Sequence, residues 1–264
     1  NYTIETVSGR ADGDWTTAIV EAIEKPGLPP VALASISDLH WSDGGLIDLY
    51  RVSEALRAGG GKLLVDATHS AAVIAHDVQA LDPDFLIFPT YKWLLGPYGR
   101  AFMYVAKRHQ TGVPLEQTSF GRTRVQATDQ VYFTDLSYVE NASRFDMGER
   151  DFFVSLDVSA TSIELILDWS LDAVRERMVM LTGAIEDGLA ANGVPVSMLR
   201  QDLRAPNILS LGFPEGMPED LPARLSAAGV HAAARLGRLR ISPHVYNDEE
   251  DCARCVAALT EIFR

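Results

Sequence analysis

Cysteine is nearly absent from this sequence. Only Cys252 and Cys255 occur among 264 residues, too few for a disulfide framework, and a reducing, cytoplasmic setting is the expectation. Long apolar runs are also missing. None approaches the roughly 20 residues a membrane helix needs, so no membrane partner is expected. Positive charge is scarce: Lys plus Arg number 23 against 36 Asp plus Glu, a net charge of −13. Such a surface repels phosphate backbones, and nucleic acid is not expected as a partner. The opening Asn1-Tyr2-Thr3-Ile4 has no Met, no basic segment and no apolar segment, so no signal peptide is expected and the chain reads as cut from a longer protein. What is present is ordinary for a globular protein: 47% hydrophobic and 22% charged residues, in a chain long enough for two domains and a large core.

Short apolar runs alternate with helical periodicity over the first hundred residues. Trp15 to Glu24 is helical, Val31 to Ile36 suits a doubly buried strand, and Leu49, Val52 and Leu56 mark the inner face of a second helix. That helix stops at Gly59-Gly60-Gly61, which precedes a strand, whereas phosphate-cradling loops follow one. Lys62 to Asp66, Phe85 to Phe88 and Phe102 to Val105 are further strands, with a short helix over 77–81. Continuous apolar strands with helical crossovers predict a parallel sheet covered on both faces. Residues 107–150 have poor periodicity and read as a connector. Beyond them, long helices to about Trp169 (patterned by Leu156, Ala160, Ile163 and Leu167) and over 171–191 precede short strands and a last helix over 248–263. The expected organisation is a large domain over 1–115, a connector over 116–150 and a small α+β domain over 151–264.

Two neighbouring strands end in charged residues. Asp66 closes one apolar run and Lys92 follows another. They are either a structural ion pair or a reactive pair, since ligands of open parallel sheets sit outside the strands' carboxyl ends. Pyridoxal phosphate chemistry needs a lysine amine, an acid that keeps the pyridine nitrogen protonated, and donors for the phosphate and ring hydroxyl. Lys92 and Asp66 match the first two. His69 is placed to reach the ring hydroxyl or stack on the ring, and Tyr91 to donate to the phosphate.

Val65-Asp66-Ala67-Thr68-His69-Ser70 and Asp84 through Gly99, with Pro89-Thr90-Tyr91-Lys92-Trp93 at its centre, resemble the core of the class V pyridoxal-phosphate enzymes. His40-Trp41-Ser42-Asp43-Gly44, Arg144 through Arg150, and Leu239 through Asn247 are similar to further segments of that family, in the same order. The resemblance implies the α/β transferase fold type I: a mostly parallel sheet flanked by helices in an incomplete large domain, plus a small α+β C-terminal domain. It implies pyridoxal 5′-phosphate as cofactor, an amino acid as substrate and a homodimer. Lys92 would be the Schiff-base lysine, Asp66 the pyridinium partner, His69, Tyr91 and Ser37 cofactor contacts, and Arg240 the clamp on the substrate carboxylate. The implied activity is aminotransferase or isopenicillin-N-epimerase-like. Kynureninase-like carbon–carbon hydrolysis is the alternative, favoured by the Asp-x-x-His and Tyr-Lys spacing. A non-catalytic remnant serving as an interaction unit is the other.

Three departures from the family's pattern stand out. Glu149 stands where many relatives have a Thr that binds phosphate across the dimer, and its charge would repel that group. Cys252 and Cys255 lie after Arg240, whereas a desulfurase needs its nucleophilic cysteine before that motif. They share a helix face and read as packing; with no further ligands in spacing, no metal is expected. The family's phosphate loop and ring-stacking aromatic lie ahead of the segments matched here, so the chain is expected to begin midway through the large domain.

Overall fold

The computed structural model describes residues 2–125, 133–148, 150 and 152–264. Strands β1 (Leu33–Ser37), β2 (Lys62–Asp66), β3 (Phe85–Pro89) and β4 (Ala101–Val105) form one sheet in that order. β1 pairs with β2, and β2 with β3, in parallel; β3 and β4 are antiparallel. Helix α2 (Leu49–Ala58) makes the first crossover, and the second carries the short α3 (Val78–Leu81). The stretch between β3 and β4 holds Lys92 and is too short for a parallel crossover, so the chain reverses.

Helices α1 (Trp15–Ile23) and α2 start at aspartate caps, Asp14 and Asp48, whose side chains accept from first-turn amides. Each cap contributes about 1 kcal/mol. Their apolar stripes meet the sheet in a core of Ile19, Val52, Leu56, Leu63, Val65 and Leu86. Among the described residues the two faces of this sheet are unequally covered. β1 is an edge strand with Leu33 half-exposed, and Met103 on β4 is 41% exposed. The side chains of one face pack under α1 and α2, and the alternate residues stand on the less covered face.

The connector is more structured than its periodicity suggests. It carries a hairpin of β5 (Arg122–Val125) and β6 (Phe133–Tyr138) with irregular register. Arg144 is buried and its Nη1 donates to the Gly112 carbonyl at 3.0 Å. Glu149 lies outside the described residues.

Helices α4 (Phe153–Trp169) and α5 (Leu171–Ala191) follow, joined at Ser170. A second sheet has the order β7 (Leu209–Leu211), β9 (Arg238–Ile241), β8 (Ala233–Arg235), all antiparallel. With α6 (Leu221–Ala227) and α7 (Glu249–Ile262) it encloses a core of Met178, Leu181, Leu189, Leu209, Leu225 and Leu259. Trp93 and Leu94 belong to that core, so the turn carrying Lys92 rests on the C-terminal unit.

The apolar stripe of α4 is only partly inward: Ile163 packs against the C-terminal core. Leu156 and Leu167 are exposed, while Ser155, Ser159 and Ser162 are buried with Ile166. The hydroxyls explain the inversion. Ser159 and Ser162 donate back to helix carbonyls at 2.6 and 2.9 Å, so their burial leaves no polar group unmet. Their small size lets the Lys92 turn approach. A Cβ added at Gly96 would sit 2.6 Å from Thr90 Cβ and 3.2 Å from Ser162 Oγ.

Candidate active site

The site starts from the carboxyl ends of three adjacent strands. Ser37 and Asp66 are register partners at the ends of β1 and β2. Asp66 is also level with Ile87 on β3, three residues short of Thr90. The Asp66 carboxylate is held by its own turn: Oδ1 accepts from the Thr68 amide at 2.9 Å. The chain then turns through His69 and leaves Ser70 buried.

The turn after β3 is rigid. Thr90 is fully buried, and its hydroxyl donates to the Pro97 carbonyl at 2.8 Å. The Gly96 amide returns to the Thr90 carbonyl at 2.8 Å. Leu95 sits at φ 57°, a left-handed conformation that costs a non-glycine residue energy and persists where surroundings impose it. Buried Trp93 stacks on His244 at 5.0 Å, and His244 Nε2 lies 3.1 Å from the Trp93 carbonyl. Between these anchors the Lys92 side chain projects to His69, with Nζ 3.0 Å from Nε2.

Both groups are pushed toward their neutral forms. Burial holds the Lys92 amine below its usual range, helped by the charges of Arg240 and Arg235, with Asp66 opposing. Burial and then Lys92 push His69 down to about 4, so the imidazole is neutral at pH 7 and accepts from Lys92. An amine with a depressed pKa beside a fixed carboxylate at a strand end is the pattern of a reactive lysine.

Tyr91 is placed at the rim, 37% exposed, stacked on Tyr98 at 4.5 Å and with its ring centroid 5.6 Å from Lys92 Nζ. Arg240 reaches the site from β9. Its Nη1 donates to the Trp41 carbonyl at 2.7 Å, and its buried Nε has no partner in the protein. Ser37, Asp66, His69, Tyr91 and Lys92 thus lie at or just beyond adjacent strand ends of the first sheet, and Arg240 of the second sheet is near enough for its charge to act on Lys92 and His69.

Sequence reasoning missed several supporting residues. Asn207 is fully buried and its Nδ2 donates to the His69 carbonyl at 2.8 Å, fixing that loop from the C-terminal unit. Asp38, next to Ser37, is buried and pairs with His76 Nε2 at 2.7 Å. Arg235 adds charge from β8. The loop over 40–45 is pinned by Trp15 Nε1, which donates to Asp43 at 3.0 Å, and by the stack of His40 on Trp15. The one signal available in sequence was the polar character of 37–45 after an apolar run.

The donor set fits the reacting end of pyridoxal 5′-phosphate. An amine, a carboxylate and a neutral imidazole stand together, and the unpartnered Arg240 Nε leaves a hydrogen-bond donor for an anion. Cys252 and Cys255 are buried in the α7 core, and burial pushes the Cys255 thiol up to about 12. Among the described residues, no helix is long and apolar enough to cross a membrane.

The family model described as aminotransferase class-V matches residues 1–254. An uncharacterized aminotransferase, YcbU, of Bacillus subtilis is 24% identical over 94% of this chain and 66% of its own length. A kynureninase of Myxococcus xanthus is 28% identical over 92% of this chain and 58% of its own. The chain thus spans somewhat less than two thirds of these relatives. Among solved structures, a cysteine desulfurase from Thermococcus onnurineus superposes with a TM-score of 0.81 at 21% identity, covering 98% of this chain and 66% of that one. A cystine C–S lyase does so with a TM-score of 0.79 at 19% identity, over 94% and 65%. The neighbours share the fold type I expected from the sequence.

Proposed function

The chain belongs to the class V aminotransferase family, for which pyridoxal 5′-phosphate is the indicated cofactor, and from that premise we propose that it is an enzyme acting on an amino acid with Lys92 as its reactive amine. The observation that carries this reading is the Lys92–His69 contact at 3.0 Å, one strand from Asp66. Bound there, the cofactor supplies an electron-accepting ring. Asp66 holds a proton at the ring nitrogen. His69, neutral at pH 7, would lie against the ring or its hydroxyl. Tyr91 and Ser37 would be contacts to the cofactor, Tyr91 through its hydroxyl to the phosphate. Arg240 orients the substrate by its carboxylate, for which the planar guanidinium offers a two-pronged fit. Lys92 Nζ moves the proton at the substrate's α-carbon, a task suited to an amine whose pKa is lowered toward neutrality.

Transamination or epimerisation is the first reading. Carbon–carbon hydrolysis is the second, favoured by the Asp66–His69 spacing and the kynureninase relatives. Desulfurase chemistry is disfavoured, since both cysteines of this chain follow Arg240 in sequence and are buried in the C-terminal core. The proposed division into 1–115, 116–150 and 151–264 and a cytoplasmic homodimer belong to the same reading.

Purified protein mixed with pyridoxal 5′-phosphate should gain an absorbance band that borohydride bleaches, with the fixed label on Lys92. A colourless protein would support the interaction-unit alternative instead, and a label on Lys62 or Lys107 would overturn the assignment of Lys92. Release of a keto acid, inversion of the α-carbon, or alanine from kynurenine then separates the reactions.

A further inference from the structure

The paired strands β8 and β9 carry a cluster of arginines in a protein whose net charge is −13. β8 and β9 pair with Ala233 opposite Arg240 and Arg235 opposite Arg238. Since side chains alternate along a strand, Arg235, Arg238 and Arg240 share one face of this sheet. None of the three forms an ion pair among the described residues, whereas Arg177 and Arg204 of the same unit pair with Glu249 and Glu186.

The three arginines are not equivalent. Arg238 is used by the fold: Nε donates to Ser210 Oγ at 2.9 Å and Nη2 to the Ser210 carbonyl at 2.8 Å. Arg240 turns to Trp41 and keeps its buried Nε unpartnered. Arg235 is exposed, and its Nη1 rests on the carbonyl of its own neighbour, Ala234, at 2.7 Å. Its backbone carbonyl accepts from Ser42 Oγ at 3.4 Å, which places it against the loop that Arg240 also contacts. Diagonal neighbours across paired strands lie about 7–8 Å apart, so Arg235 and Arg240 repel each other. The charge of Arg235 is felt at both Lys92 and Arg240.

The acids nearby are already engaged. Asp66 faces Lys92 and is assigned to the ring nitrogen, and Asp38 is paired with His76. One substrate carboxylate satisfies Arg240 and leaves Arg235 without a counter-charge.

We propose that Arg235 binds a second anionic group on the substrate, so that the substrate class is amino acids with a distal carboxylate or comparable anion. This rests on the proposed amino-acid chemistry at Lys92.

The test is calorimetric titration of the cofactor-loaded chain with two probes, glutarate and butyrate. Wild type should bind glutarate about tenfold more tightly than butyrate, the increment of one exposed charge-assisted contact. Arg235→Gln should erase that preference and leave butyrate binding unchanged, and Arg235→Lys should retain part of it. Arg235 is exposed, so neither variant threatens the fold. Equal binding of the two probes by wild type overturns the proposal. So does an Arg235→Gln protein that loses cofactor, which would make Arg235 a contact to the cofactor phosphate. The underlying reading fails separately: it falls if borohydride fixes no label on Lys92, whatever the probe preference.

Discussion

Lys92 Nζ lies 3.0 Å from His69 Nε2, an amine and an imidazole in contact at adjacent strand ends. Burial depresses both, and each positive neighbour depresses them further. The Lys92 amine should therefore react below its ordinary titration point. Competitive acylation across pH, read by peptide mapping, should place its midpoint under the usual 10.5. Arg240→Gln removes a repelling charge and should move that midpoint up. Asp66→Asn removes an attracting one and should move it down. A Lys92 midpoint at or above 10.5 would contradict the electrostatics described for this site.

His69 makes acid stability a site property. Its folded pKa of about 4 lies below the ordinary 6.5, so between those values the unfolded chain binds more protons than the folded one. Stability then falls as pH drops through that window. Because His69 is only half-buried, the loss is on the order of 1 kcal/mol after discounting for solvent screening. Urea midpoints at pH 7 and pH 4.5 should differ less in His69→Gln than in wild type. An unchanged pH dependence would place the acid-sensitive group elsewhere.

The cysteines should be silent. Cys252 and Cys255 are each 4% exposed, and burial raises both thiols. A thiol reagent should label neither in the native protein at pH 7.5 and both in denaturant. Cys252→Ser with Cys255→Ser should leave the borohydride-fixed label on Lys92 intact. Rapid native labelling, or loss of the Lys92 label in the double variant, would reopen a thiol-based reaction.

How far the sequence reaches depends on whether local pattern or packing decides an element. Asp14, Asp48 and Asp77 sit before periodic runs and cap the helices expected there, because capping is a local matter. Lys92 and Asp66 were legible for a similar reason: a charge at the end of an apolar strand stands out. On α4 the apolar stripe alone does not mark the buried face, because serines satisfied by their own helix carbonyls bury as readily as leucines. The connector hairpin has too irregular a register for alternation to reveal it. Asn207 and Arg235 could not be found from spacing, since Asn207 meets His69, and the charge of Arg235 acts on Lys92, only after the C-terminal unit packs on the first sheet.

Arg240 tests whether that packing makes the site. Its Nη1 is held by the Trp41 carbonyl at 2.7 Å, so the guanidinium is positioned before any substrate arrives, with Nε free to donate. A lysine in its place keeps the charge but has no second, rigid donor and cannot hold the Trp41 carbonyl and a carboxylate in one plane. Charge-assisted hydrogen bonds contribute about 1.5–3 kcal/mol, so Arg240→Lys should raise the Michaelis constant for an amino-acid substrate by roughly ten- to a hundredfold. Cofactor retention should be unchanged, because Lys92 and Asp66 belong to the other sheet. Equilibrium dialysis of the cofactor beside steady-state kinetics separates the two effects. If Arg240→Lys instead released the cofactor and left substrate affinity alone, Arg240 would be a cofactor or structural contact, and the carboxylate would have to be bound by another residue of the site.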